Sequence, residues 1–150
     1  MRFLFFIFWF SISVFGQTNP IDLLSKGIPD SWLGSYEGEM EIYNNNGLQQ
    51  KIGVNLDLLI MDRPSYWTYN MTYINLKNGE AASSKAYKIF YEEATKKLWM
   101  DEGDSLFIEM THMGNCFYDH YELGGMFYNS SLCQQGENLV FVLTGGHKKP

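Results

Sequence analysis

The chain has 150 residues, 17 acidic and 11 basic side chains for a net charge of −6, and 17% aromatic residues. That length suits one ordinary domain. The acidic balance argues against a nucleic-acid partner, which needs a basic footprint to displace counterions, and the aromatic content argues against disorder and for strands.

The N-terminus reads MRFLFFIFWFSISVFGQ: Arg2, an apolar run over residues 3–10, then short residues including Val14 and Gly16. The run is too short to span a bilayer, and its end suits signal peptidase. Residues 1–16 are expected to be a secretory signal and Gln17 the first mature residue, which predicts a secreted or periplasmic protein. A membrane anchor or a buried strand is the alternative. No cysteine follows the run and no second apolar stretch approaches transmembrane length, so neither a lipoprotein anchor nor a transmembrane segment in the processed chain is expected. Processing would leave 134 residues (150 minus 16) and, without Arg2, a charge of −7.

Residues 17–31 form an N-terminal segment with one short helix expected over residues 20–27. Asn19 suits its N-cap, Pro20 its first turn and Gly27 its stop. From Trp32 the helical period vanishes. Apolar and polar residues alternate between turn signals at Asn44-Asn45-Asn46-Gly47, Asp62-Arg63-Pro64-Ser65, Lys77-Asn78-Gly79, Gly103-Asp104 and Gly114-Asn115. Strands are expected over 32–43, 48–61, 66–75, 84–92, 96–102, 105–113, 116–123, 126–133 and 138–144. Residues 32–147 read as a single barrel domain and 148–150 as a frayed C-terminus, with His147 in the frayed region. Connections this short join antiparallel neighbours in sequence order, so the fold class is all-β. The meander is expected to close into an 8–10-stranded barrel, because closure removes exposed edges. A β-sandwich is the alternative.

Period two sorts the faces. Ile52, Val54, Leu56, Leu58 and Ile60 share one side of the second strand; Trp67, Tyr69, Met71 and Tyr73 share one of the third; Tyr87, Ile89 and Tyr91 share one of the fourth.

The stretch CFYDHYELGGMFYNSSLC holds both cysteines about Gly124-Gly125. A Gly-Gly pair favours a two-residue hairpin turn, because the tight turns that join strands need positive φ. With that turn, each cross-strand pair sums to 249, and Cys116 falls opposite Cys133 in a non-hydrogen-bonded pair. Such pairs bring Cα atoms to about 4.5 Å, within disulfide reach. A structural disulfide is predicted in an oxidising compartment, with two buried free thiols as the alternative. A further turn at Gly114-Asn115 puts Met110, His112, Phe117, Asp119, Tyr121 and Tyr128 on one face, taken as the interior, and leaves the disulfide on the outer wall. The same turn sets His120 opposite Glu109.

At Trp32-Leu33-Gly34-Ser35-Tyr36-Glu37-Gly38-Glu39 the chain resembles the opening of lipocalin-like (calycin) barrels, in which a short helix precedes Gly-x-aromatic on the first strand. LGSYEGE is also similar to the Gly-Thr-Trp-Glu-Gly opening of nitrobindin-type haem-binding barrels. The chain departs from the lipocalin pattern in having Tyr36 in place of Trp and in lacking an Arg on its last strand. The resemblance implies a one-ended barrel that holds a small, mostly apolar ligand.

Three functions follow as expectations. The first is a carrier that binds a small hydrophobic or aromatic ligand inside, without catalysis. Trp67, Tyr69, Tyr73, Tyr87, Tyr91, Met110, Tyr121 and Tyr128 would form its walls, and Asp119 or His112 its polar anchor. Asp119 would otherwise need Tyr121, Tyr128 or His112 as a partner, since an unpaired interior carboxylate is costly. The second is a filled barrel that meets a protein or envelope partner through outward Tyr43, Phe107, Tyr118 and Phe127. The third, a minority reading, is haem held by His112; otherwise no cofactor or metal is expected. No nucleophile–base pair can be assembled, and no catalytic residue is assigned. Acidic pairs such as Asp101-Glu102 read as solvated turn flanks.

Overall fold

The protein is described from a computed structural model over residues 27–147. The signal segment, the helix expected over 20–27 (save Gly27) and residues 148–150 lie outside the described residues. A 3-10 turn at Asp30–Trp32 leads into nine strands: β1 Gly34–Asn44, β2 Gly47–Leu58, β3 Tyr66–Ile74, β4 Ala81–Glu92, β5 Lys97–Asp101, β6 Phe107–Met113, β7 Cys116–Leu123, β8 Met126–Gln135 and β9 Asn138–His147. They pair antiparallel in strict sequence order as one sheet, curled into a nearly closed barrel. The expected all-β meander is the fold observed. Its architecture is compatible with a lipocalin-like barrel.

The turns explain the order. Gly124 and Gly125 sit at φ +60° and +78°, a region side chains other than glycine enter at a cost, and Leu123 faces Met126. The register then runs unbroken to Cys116 opposite Cys133. Those cysteines form a disulfide with Cα atoms 4.0 Å apart. It lies on the outward side of the hairpin, where Cys116 is nonetheless only 9% exposed.

Element ends differ from expectation in places with a local cause. Residue 32 belongs to the 3-10 turn, in which Trp32 N–H donates to the Pro29 carbonyl, so β1 starts at Gly34. The second strand stops at Leu58, and Ile60 keeps only an isolated bridge to Trp67 and is exposed. The last strand continues through Gly145 and Gly146 to His147, which pairs with Met126. His147 is therefore part of the sheet.

Period two holds inside the barrel. Leu56, Leu58, Trp67, Tyr69, Met71, Ile89, Leu98, Met100, Ile108, Met110, Phe117 and Leu132 are buried in one cluster with Trp32 and Ile28. One end is plugged. Trp32 meets Phe117 edge-on at 5.0 Å, its carbonyl accepts from Tyr36 Oη at 2.8 Å, and Ser31 and Gln134 exchange two hydrogen bonds that tie the turn to β8. Gly27, at φ +111°, passes so close to Trp67 that an added Cβ would lie 2.1 Å from the indole. Burying these aromatic and aliphatic side chains together stabilises the barrel.

Candidate functional site

The packed core does not fill the barrel. A cavity of about 180 Å³ is walled by β3, β4, β5, β6, β7, β8 and β9, with Met40 of β1. A second space of about 840 Å³ opens beside it, between β1 and β9. The two share Met40, Tyr69, Met71, Phe141 and Leu143 as walls. β1 and β9 are the terminal strands of the sheet, so the larger space is the unsealed seam of the barrel. Gly38 lines the seam, and an added Cβ there would meet nothing within 4 Å.

The smaller cavity has a polar end. Asp119 of β7 is paired with Ser130 of β8, and Ser130 Oγ donates to Asp119 Oδ2. Asp119 Oδ1 is buried and receives no hydrogen bond. Burial pushes the Asp119 carboxyl above its ordinary pKa, against the opposing pull of the Ser130 hydrogen bond and the nearby His120. Glu102, which follows β5, lines the same cavity. Its pKa is raised as well, first by burial and then by the Asp119 charge, with Lys85 opposing. Tyr69, Tyr73, Tyr87 and Tyr121 complete this end. Burial, followed by the repulsion of Glu102 and Asp119, pushes the Tyr121 phenol up to about 12. The Tyr69 phenol, fully enclosed, is raised further for the same first reason.

The candidate residues divide. Tyr69, Tyr73, Tyr87, Asp119 and Tyr121 come together on the cavity wall. Tyr128 stacks on Tyr121 at 5.0 Å, lies against Gly145 and reaches neither space. Trp67 and Met110 are core, and Tyr91 packs at its edge. His112, the candidate polar anchor and, in the minority reading, haem ligand, stacks on Phe117 at 4.4 Å near Trp32 at the plugged end and lines neither cavity. Burial holds its pKa below the ordinary value.

Glu102 and Ser130 were not among the expected site residues. Glu102 continues the inward parity of Leu98 and Met100 on β5, and Ser130 completes a pair summing to 249 with Asp119; both signals were in the sequence. The partner expected for His120 also changes. Its Nδ1 contacts Asn129 Oδ1 at 2.8 Å, while Glu109 pairs with Lys97 at 2.7 Å, because β5 flanks β6 on the other side.

Among the described residues, no helix is long and apolar enough to cross a membrane. Nor do any three His, Cys, Asp or Glu side chains among them gather where a metal could be held. No family model matches the chain, and no curated protein or solved structure is significantly similar to it.

Proposed function

We infer that this protein is an extracytoplasmic lipocalin-like carrier that holds a small hydrophobic or aromatic molecule in its interior without transforming it. The observation that carries this reading is the uneven filling of the barrel. One end is packed by Trp32, Phe117 and Leu58, whereas the end bounded by Tyr73, Tyr87 and Tyr121 keeps open space that shares walls with the seam. A concave, largely apolar site with a few convergent polar groups is the usual form of a ligand pocket. The disulfide and the apolar N-terminal run favour an oxidising compartment outside the cytoplasm.

Two measurements test it. Mass spectrometry of the processed, oxidised protein under denaturing conditions is expected to release a bound apolar compound. A hydrophobic fluorescent reporter is expected to bind the wild type, and not a Gly38→Trp variant whose indole fills the seam. Reporter binding that is unchanged in Gly38→Trp would overturn an interior site.

A second reading has its own support. On the outer wall, Arg63 lies 3.9 Å from the Tyr66 ring, Tyr66 stacks on Phe90 at 5.2 Å, and Phe90 meets the half-exposed Phe107 edge-on at 6.2 Å. This aromatic row would serve a barrel that acts through its surface on a protein or envelope partner. Loss of a captured partner in Phe107→Ala, with reporter binding intact, would favour it.

A further inference from the structure

The polar end of the cavity carries charge of one sign. Asp119 and Glu102 both line it, and Asp119 Oδ1 is buried without a donor although Ser130 satisfies its neighbour. Lys85 acts on Glu102, but its side chain is exposed and stays outside the cavity wall. An unpaired carboxylate oxygen in a half-dehydrated pocket is costly, and folding alone gives no return for it. A neutral apolar ligand would make matters worse, since it would expel water and leave both acids facing hydrocarbon.

We propose that the cavity takes a ligand with a protonated amine on an apolar body, the ammonium lying between Asp119 and Glu102 and the body among Tyr73, Tyr87 and Tyr121. This rests on the interior-binding reading and specifies its ligand. Three features select an amine. An ammonium brings up to three donors and offsets the carboxylate charge, where a hydroxyl brings one donor and no charge. Tyrosine rings attract a cation through their quadrupole and cover an apolar body equally well. Finally, the room fits: cavities of about 150 Å³ accept a benzene ring, so 180 Å³ accommodates a ring and a short chain. A hard divalent cation suits the site less, because it asks for six or more oxygen ligands and Asp119, Glu102 and Ser130 supply few. The raised carboxyl pKa values have the same origin as the selectivity: an enclosed negative charge without its counterion.

The test uses matched pairs that share an apolar body and differ in the polar head. Tryptamine, phenethylamine and decylamine are titrated calorimetrically into the disulfide-intact protein beside tryptophol, 2-phenylethanol and decanol. Indole-3-acetate serves as the anionic member. At least one amine is expected to bind roughly tenfold or more tightly than its alcohol, the scale of a charge-assisted hydrogen bond, and indole-3-acetate is expected to be rejected. Asp119→Asn should erase the preference of amine over alcohol, and Glu102→Gln should reduce it. If alcohols bind as tightly as amines, or the preference survives in Asp119→Asn, the amine assignment is overturned and the interior site stands. If no member of either series binds, both are overturned.

Discussion

Ser130 and Asp119 face each other across β7 and β8, and the serine hydroxyl satisfies one carboxylate oxygen while the other stays buried without a donor. That arrangement sets a pH dependence of stability. The groups around it are Glu102, the phenols of Tyr69, Tyr73, Tyr87 and Tyr121, His120 on the outer face and Lys85 near Glu102. Both carboxyls hold protons to higher pH in the folded chain than in the unfolded one. Their favourable contribution is therefore complete below the ordinary carboxylate range and is lost as pH rises through the raised folded values. In urea unfolding, Asp119→Asn is expected to stabilise the protein at pH 7 by on the order of 1 kcal/mol and to change little at pH 4. A variant less stable than wild type at pH 7 would contradict this.

The disulfide joins two residues 17 apart in sequence. By loop entropy, Cys116→Ser with Cys133→Ser is expected to lower unfolding free energy by roughly 3 kcal/mol. Because the hairpin is also specified by Gly124-Gly125, far-ultraviolet circular dichroism should keep its β signature below the transition.

Trp32 is 2% exposed and plugs the barrel against Phe117 and His112. Trp32→Ala is expected to cost about 3–5 kcal/mol, as large buried aromatics do. Ligand selectivity should be preserved wherever the variant remains folded, since Trp32 touches neither cavity. Thermal unfolding with and without tryptamine checks both halves.

Gly38 sits mid-strand with open space where its side chain would be. Gly38→Ala removes backbone freedom from the unfolded chain and should stabilise by about 0.5–1 kcal/mol. Gly38→Trp should fold and lose interior binding. A Gly38→Ala variant that is destabilised would mean that the strand needs the glycine's conformational freedom.

Much of this was legible in the sequence where a rule acts locally. The diglycine turn placed Cys116 against Cys133, and period two put Tyr69, Tyr73, Tyr87 and Tyr121 on one wall. The same rule failed for Ile60, because the β2 strand ends at Leu58 and the chain turns away before the Arg63-Pro64 turn, leaving Ile60 with an isolated bridge to Trp67 and exposed. Glu102 was hidden by its charge: an acid beside a turn reads as solvated, although its parity matches Leu98 and Met100. The seam could not be read at all. Whether the first and last strands meet depends on stagger summed over nine strands, and no short stretch encodes that sum.

The unsealed seam leaves β1 and β9 each with a row of backbone donors and acceptors that no strand of the described chain takes up. Val140, Val142 and Leu143 are partly exposed on β9, a composition that invites edge-to-edge aggregation between copies. Glu37, Glu39 and Glu41 stand in line on β1, with Glu41 paired to Lys51 at 2.5 Å, and a second copy docking there would set acid against acid. The price of a side entrance is thus a colloidal hazard, held in check by an acidic edge and brought back by salt.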